Sequence, residues 1–237
     1  MNFQGKTAII TGGTGALGSV VVKKFFDAGA NIAIPYHSES STKSLPKNVL
    51  EASDRLLLMQ TDLSSHTQVG EFVEYVVRDF GSVHFLANIA GGYAGGTAIA
   101  DVSLDEWESM MTMNLKTAFL MCREVLKPMT LQKSGRIVNI AAMPGLTSGA
   151  KKGPYAISKR AVITLTETIA DELKGSGITA NAIAPSVILT EANRHSMPNS
   201  DFGKWVTPEE IADLILFLCS DGARSMSGNV VKMFGGI

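Results

Sequence analysis

The sequence predicts a single α/β domain over residues 1–237, a doubly wound parallel sheet of about seven strands with helices on both faces. Short apolar runs alternate with longer amphipathic runs along the whole chain, which is the pattern of strands joined by crossover helices. The connections are short, and no linker, internal repeat or low-complexity stretch divides the chain. With 237 residues, of which 45% are hydrophobic, the chain can bury one sizeable core.

A glycine-rich turn follows the first predicted strand. The apolar run 6–11 leads into the turn 12–18 and then into an amphipathic run predicted as a helix at 20–28. Glycines let backbone N–H groups approach a pyrophosphate, and the start of a helix attracts its negative charge. Strand, glycine turn and helix in this order predict a Rossmann-like dinucleotide site. A tight turn that binds no ligand is the alternative.

The end of the second strand bears on which cofactor is bound. This strand is predicted at 31–35 from its apolar residues, and Pro35 marks its end. Enzymes that bind NAD usually place an acid here to bind the ribose hydroxyls, and this chain has none. His37, Ser38 and Lys43 are candidates to meet a 2′-phosphate instead, although no arginine accompanies them. We therefore expect NADP(H) to be favoured over NAD(H).

The third and fourth strands, predicted at 56–60 and 83–87, are both followed by candidate ligand-binding segments. Asp62 comes after the third strand, at the edge where open α/β sheets bind ligands. The alternative for Asp62 is to cap the amphipathic helix predicted at 69–80. The fourth strand leads into the glycine-rich segment 88–96, which implies a backbone lying close to a flat or charged group.

The second half of the chain continues the same alternation. Two capping-box sequences, Ser103-Leu-Asp-Glu106 and Thr207-Pro-Glu-Glu210, begin long helical patterns. Asn114 falls in the middle of the first of these helices, where asparagine is disfavoured, and is either solvated or functional. The predicted elements are helices at 103–126, 155–174 and 207–220, and strands at 135–141, 179–184 and 229–234.

Tyr155 and Lys159 are candidates for acid–base chemistry. They are four residues apart in the helix predicted at 155–174, and therefore lie on one face of it. The lysine charge can lower the pKa of the phenol and make its hydroxyl a proton donor near neutral pH. An isolated pair of this kind is more often a solvated helix face, so its interpretation depends on the surrounding motifs.

Composition excludes several classes of protein. The formal net charge of −1 leaves no electrostatic footprint for nucleic acid. No apolar run reaches the roughly 18 residues of a membrane span, and the N-terminus lacks a signal-peptide pattern, so we expect a cytoplasmic protein that does not bind membranes. Cys122 and Cys219 fall in helical patterns without metal or disulfide spacing, and the four histidines are scattered. We therefore expect two buried thiols and no metal site.

In combination, these motifs resemble the short-chain dehydrogenase/reductase family over the whole chain. The resemblance rests on Thr11-Gly12 to Gly18, Asp62-Leu63, Asn88-x-Ala90-Gly91, Asn114, Tyr155-x-x-x-Lys159, Asn181 to Pro185, Thr190 and the terminal Gly235-Gly236. It implies hydride transfer from a nicotinamide cofactor to a small molecule. Tyr155 would be the acid/base, Lys159 would bind ribose and lower the Tyr155 pKa, and Asn114 would hold a proton-relay water.

The same resemblance implies a set of cofactor contacts and an assembly. The implied cofactor-binding residues are Gly12, Thr14, Gly15, Leu17, Gly18, His37, Asp62, Leu63, Asn88, Ala90, Tyr155, Lys159, Pro185, Ile188 and Thr190. Members of the family usually associate through the helices around Asn114 and Tyr155. We therefore expect a homodimer or a homotetramer.

The chain departs from the family pattern at its catalytic serine. That serine lies thirteen positions before the tyrosine, where this chain has Ala142. A methyl group cannot donate a hydrogen bond to a substrate carbonyl, and losing such a donor typically costs about 100-fold or more in rate. Ser148 or Thr147, in the loop that follows, is a candidate to replace it.

The substrate-side segments resemble one group within the family, the dihydropteridine reductases, which lack this serine. The similar segments are the turn 15–19, the glycine run 90–96 with Tyr93, and the loop 193–205. The resemblance implies a small carbonyl, quinonoid or pteridine-like acceptor beside Tyr93, Ala142 and Ser148, with Tyr93 a candidate to stack on a flat ring. A dihydropteridine reductase proper and a non-catalytic NADP-binding sensor of the same fold are the alternatives.

Overall fold

All seven strands of the computed structural model, which describes residues 1–237, form one parallel sheet in the order β3-β2-β1-β4-β5-β6-β7. The predicted fold class and the seven predicted strands are confirmed, with boundaries that differ by one or two residues. The strands are β1 Thr7–Thr11, β2 Asn31–Tyr36, β3 Leu56–Gln60, β4 Phe85–Asn88, β5 Gly135–Ile140, β6 Ile178–Pro185 and β7 Val230–Met233. The strand order reverses direction between β1 and β4, which creates a crevice at their carboxyl ends.

The helices connect successive strands. They are α1 Ala16–Asp27, α2 Lys47–Leu50, α3 His66–Phe80, α4 Leu104–Met110, α5 Thr117–Gln132, α6 Gly153–Glu172, α7 Glu191–Ser196 and α8 Pro208–Cys219. The short helices α2 and α7 were not among the predicted elements. Helix α1 begins four residues before the predicted start, because Gly15 in the glycine turn is already its N-cap.

The long helix predicted at 103–126 is present but interrupted. A π-helical segment, Met111–Lys116, separates α4 from α5, and the N–H of Thr117 donates to the carbonyl of Thr112, five residues earlier. Helix α5 then continues past the predicted end to Gln132, with Pro128 inside it. Only half of the first predicted capping box forms, since Ser103 accepts from the N–H of Glu106 without a reciprocal bond. The second box, at the start of α8, is complete.

Two apolar layers cover the sheet, one on each face. Helices α1 and α8 pack on one face, where Phe25 and Ile215 are fully buried. Helices α3 and α5 pack on the other, where Phe72 and Met121 are fully buried. Side chains alternate along a strand, so a sheet covered on both faces needs continuous apolar strands, as the sequence shows. No helix is both long enough and apolar enough to cross a membrane.

A chain of buried polar side chains crosses the sheet near the carboxyl ends of β1, β4 and β5. The Thr11 hydroxyl lies 3.3 Å from Asn88 Oδ1, and Asn88 Nδ2 donates to Asn139 Oδ1 at 2.9 Å. Asn139 Nδ2 then donates to the Thr166 hydroxyl of α6 at 2.9 Å. Thr11 pairs with Asn88 in the strand register, and Asn88 pairs with Asn139. We call these four residues the polar ladder.

Replacing Asn139 by Ala should lower the free energy of unfolding by about 2–3 kcal/mol, because the buried Asn88 amide loses its shortest hydrogen bond and the buried Thr166 hydroxyl loses its donor. Denaturant unfolding measures the change. The matched control is Asn48→Ala on the exposed face of α2, which should stay within about 0.5 kcal/mol of the wild type. Equal stabilities of the two variants would contradict a stabilising role for the ladder.

Candidate active site

A cleft of about 440 Å³ lies at the crevice where the strand order reverses. It brings together six of the predicted cofactor-binding residues. Its lining includes Gly12, Thr14, His37, Asp62, Leu63 and Ala90, together with Pro35, Tyr36, Thr61, Ser64, Gly91, Ser109, Thr112, Met113 and Thr117. The last four come from α4, from the π-helical segment that contains Asn114 and from the start of α5, at spacings of three or four residues along the chain. This spacing was the available signal for the cleft wall, and the sequence interpretation did not use it.

The glycine turn fits a pyrophosphate group. Gly12 has a φ of +65°, and a Cβ atom on it would lie 2.9 Å from the Ala90 backbone nitrogen. A Cβ atom on Gly18 would overlap the Gly12 carbonyl oxygen. Gly15 caps α1 without a side-chain hydrogen bond, so no side chain competes for the N–H groups of its first turn. A glycine-rich turn beside the start of a twelve-residue helix is the arrangement that binds phosphate.

The Thr11 hydroxyl holds the opposite wall of the cleft. It accepts hydrogen bonds from the N–H groups of Ile89 and Ala90, at 3.0 Å and 3.1 Å. The glycine-rich segment after β4 is thereby fixed against the end of β1. The sequence interpretation used Thr11 only as part of a motif and missed this contact, because it joins residues about eighty positions apart.

Asp62 lies in the cleft and does not cap α3. Its Oδ1 atom accepts from both the backbone N–H and the hydroxyl of Ser64, each at 2.8 Å. These hydrogen bonds, the hydroxyl bond first, lower the pKa of the Asp62 carboxyl. The cap of α3 is Ser65, whose side chain accepts from the N–H of Gln68. The capping alternative for Asp62 is therefore wrong.

The other predicted cofactor-binding residues lie outside the cleft lining. The side chains of Leu17 and Asn88 are buried, in the apolar core and in the polar ladder respectively, and Pro185 is buried at the end of β6. Ile188 forms an isolated bridge with Val206, and the Thr190 hydroxyl caps α7. Their predicted contacts with a cofactor stay predictions.

Lys159 does not lower the Tyr155 pKa in this structure. Its Nζ atom donates to the Ile140 carbonyl at 2.9 Å, and burial lowers the pKa of Lys159 to about 8. Burial raises the pKa of Tyr155 to about 12, and Tyr93 adds to the shift. The expectation of a lowered Tyr155 pKa is wrong here, because loss of hydration disfavours the phenolate and the ammonium is engaged with a carbonyl. At neutral pH Tyr155 therefore carries its proton.

Asn114 braces three segments of the chain. Its Oδ1 accepts from the N–H of Gly92 at 3.0 Å, and its Nδ2 donates to the Gly92 carbonyl and to the Ser158 hydroxyl, both at 3.1 Å. The Ser158 hydroxyl in turn donates to the Tyr155 carbonyl at 2.8 Å. Asn114 is buried, so it is not a solvated side chain. Its predicted role in holding a water stays a prediction, and Ser158 is a partner that sequence reasoning missed.

Tyr93 stands edge-on to Tyr155. Their ring centroids are 4.9 Å apart and the ring planes meet at 85°. Tyr93 remains 60% exposed, which leaves a ring face open to solvent. The segment that carries it is tied to the start of α6, since the N–H of Gly96 donates to the Lys151 carbonyl at 2.8 Å. The pair was not foreseeable from sequence spacing.

No hydroxyl occupies the position of the family serine. Ala142 is 4% exposed, two residues after the end of β5, and it caps the turn Met143–Gly145. Ser148 is exposed in the loop before α6, and the Thr147 N–H donates to the Met143 carbonyl. No three side chains of His, Cys, Asp or Glu come together as a metal site would require.

Comparison with known proteins agrees with this geometry. The short chain dehydrogenase family matches residues 6–201. The chain is 30% identical to a 3-oxoacyl-[acyl-carrier-protein] reductase of Thermotoga maritima, with 100% of this chain and 99% of that one covered. It is 30% identical to a D-beta-hydroxybutyrate dehydrogenase of Cupriavidus necator, with 99% and 98% covered. An NAD⁺-bound xylitol dehydrogenase structure matches at a TM-score of 0.91 and 27% identity, over 100% of both chains.

The family match spans most of the chain, the relatives match it end to end, and the glycine turn at the cleft fits a pyrophosphate group. The chain belongs to the short-chain dehydrogenase family and is an NAD(P)-dependent oxidoreductase.

Proposed function

We propose that this protein is a reductase that passes hydride from NAD(P)H to a small carbonyl, quinonoid or pteridine-like acceptor, with Tyr155 as the proton donor. The observation that carries the proposal is the pair of Tyr155, a phenol protonated at neutral pH, and Ala142, a methyl group where a second donor would stand. The names of the two sequence relatives describe reactions between a carbonyl and an alcohol, which supports the carbonyl class.

Four residues have proposed roles in the hydride transfer: Tyr155, Lys159, Asn114 and Ser158. The nicotinamide, when bound, supplies the hydride. Tyr155 donates its hydroxyl proton to the acceptor atom that gains negative charge, and its pKa of about 12 keeps that proton in place until the transfer. Lys159, with a pKa of about 8, is mostly charged at neutral pH. Its Nζ atom donates to the Ile140 carbonyl, and its proposed role is to bind the nicotinamide ribose. Asn114 and Ser158 position the helix turn that carries Tyr155.

Ala142 favours an acceptor whose negative charge is spread over several atoms. A simple ketone concentrates charge on one oxygen in the transition state, and such an oxygen needs preorganised donors. A quinonoid or pteridine-like ring delocalises the charge, so one donor at Tyr155 suffices. The exposed face of Tyr93 gives a flat ring a surface to stack on, worth about 0.5–1.5 kcal/mol. The resemblance to dihydropteridine reductases rests on these residues and on the loop 193–205.

NADPH is the proposed preferred cofactor. His37 lies in the cleft after β2, and no carboxylate stands among the residues 35–38 to repel a 2′-phosphate. The side chains of Ser38 and Ser40 are hydrogen-bonded to each other at 2.9 Å in the exposed loop that follows. Hydroxyl and imidazole donors at this position fit a phosphate better than they fit ribose hydroxyls alone.

A homodimer or homotetramer in the cytoplasm is the proposed state of the protein. Trp107 of α4, Phe119 of α5 and Ile157 of α6 are 37%, 45% and 44% exposed, which places large apolar groups on the helices around Asn114 and Tyr155. Large exposed apolar side chains on adjacent elements mark an interaction surface, and a second copy of this chain fits it. Cys122 and Cys219 are both free and buried, in keeping with a reducing compartment.

Replacing Tyr155 by Phe should lower kcat about 100-fold or more and leave cofactor affinity close to unchanged, because the ring still packs while the proton is lost. The assay follows NADPH and NADH oxidation with a panel of ketones, quinones and a quinonoid dihydropterin. The matched control is Tyr75→Phe, at an exposed side chain of α3, and this variant should keep full activity. Retained turnover in Tyr155→Phe would mean that another group is the acid.

The same assay tests the alternative of a non-catalytic sensor. A wild-type protein that binds the cofactor tightly but turns over no acceptor would favour that alternative.

Replacing Ala142 by Ser should raise ketone reduction, by up to about 2.7–4 kcal/mol of barrier if the new hydroxyl reaches the oxyanion. Reduction of a quinonoid acceptor should be unchanged, or slowed by about 1 kcal/mol if the hydroxyl is left unpaired beside an apolar ring. Steady-state kinetics of both variants on both substrate types measure this, with Ala141→Ser as the control for a hydroxyl added to a neighbouring buried alanine. Strong activation on ketones, with no wild-type turnover of quinonoid dihydropterin, would refute the pteridine-like acceptor.

Replacing His37 by Asp should shift the kcat/KM ratio of NADPH to NADH by about tenfold or more towards NADH, because a carboxylate repels the 2′-phosphate and accepts from the ribose hydroxyls. Asn48→Asp, which adds an acid on the exposed face of α2, should leave the ratio as it is. A wild-type protein that already prefers NADH tenfold would overturn the cofactor proposal.

A further inference from the structure

A second cavity, of about 320 Å³, lies at the opposite edge of the sheet from the cleft. It sits at the amino ends of β1, β4 and β5 and beside the end of α8, and it shares no lining residue with the cleft. Its lining is Met1, Asn2, Phe3, Lys6, His84, Phe85, Ser134, Arg136, Cys219, Ser220, Asp221 and Gly222. None of these residues has a part in the proposed hydride transfer.

The cavity holds two cations without ion-pair partners. Neither Lys6 nor Arg136 is among the salt bridges of the molecule. Arg136 Nη1 donates to the carbonyls of Gly135 and Gly177, both at 2.9 Å, and its Nε atom is buried without a partner. The guanidinium is therefore held in place by the backbone and its charge is not neutralised. Asp221 is the single carboxylate of the lining, and it is exposed.

His84 adds a neutral donor. Its Nδ1 atom accepts from the backbone N–H of Thr7 at 3.1 Å, which assigns the proton to Nε2. Burial, and then the charge of Lys6, lower the pKa of His84 to about 4, so the ring is neutral at pH 7. His84, Lys6 and Arg136 thus line one small cavity together with Ser134 and Ser220.

We propose that this cavity is a binding site for an oxyanion, the phosphate or carboxylate group of a small molecule. Two unpaired cations and a neutral N–H donor supply charge-assisted hydrogen bonds of the kind that hold such groups. Binding would also supply the countercharge that the partly buried guanidinium lacks. The cavity is large enough for a small organic acid or phosphate ester.

The test titrates the protein at pH 7 with inorganic phosphate and, separately, with succinate, with the nicotinamide cofactor in excess so that the cleft is filled. The readout is the ¹³Cε1 resonance of His84 in histidine-labelled protein, assigned by its loss in His84→Gln. We expect this resonance to shift and saturate with one or both anions while those of His66 and His195 stay in place. Saturation by phosphate alone, or by succinate alone, identifies the group that the cavity takes.

Two variants locate the binding. Lys6→Gln, at an exposed side chain, and Arg136→Gln should each weaken anion binding about tenfold. Lys47→Gln on exposed α2 removes the same charge elsewhere and should leave the affinity unchanged. Because Arg136 also bonds the backbone, Lys6→Gln keeps the test valid if Arg136→Gln fails to fold. No saturable shift at His84 with either anion, or equal weakening in Lys6→Gln and Lys47→Gln, would overturn the proposal.

Discussion

The polar ladder is the constraint on which the rest of the structure depends. Thr11, Asn88 and Asn139 sit at paired positions on three neighbouring strands, and Thr166 joins them to α6. A buried amide must pair both its donor and its acceptor, so each member accepts only one register of its neighbour. Apolar strands alone tolerate small slips. The ladder thereby fixes where the carboxyl ends of β1, β4 and β5 lie relative to one another. The cleft begins at these ends.

From this base, hydrogen bonds continue to the proposed acid. Thr11 holds the N–H groups of Ile89 and Ala90, the same segment pairs through Gly92 with Asn114, and Asn114 meets Ser158 one turn from Tyr155. The wall of the cleft and the proposed proton donor are thus connected by one continuous set of hydrogen bonds. Positioning of this kind lets a reaction proceed without reorganising the protein around the substrate.

The sequence was sufficient for the features that depend on local pattern. Apolar periodicity located the seven strands, and the ordered motifs, from the glycine turn to Tyr155 and Lys159, predicted the family. What it missed depends on contacts between distant segments. The edge-on pair of Tyr93 and Tyr155 joins a loop to helix α6, and the raised pKa of Tyr155 follows from burial, which spacing does not reveal. The capping alternative for Asp62 failed because Ser65, three residues on, was the better-placed cap.

The π segment changes the phase of one long helix. Each residue of an α-helix turns the chain by about 100°, so a turn that spans one extra residue rotates everything after it by that angle. The apolar stripe of α4 and the stripe of α5 therefore do not lie along one line. One uninterrupted α-helix over these residues would turn a single face towards the sheet along its whole length. With the phase change, Ser109 and Thr112 line the cleft and the Asn114 side chain reaches Ser158 in α6. Met121 and Val125 of α5 still pack into the core.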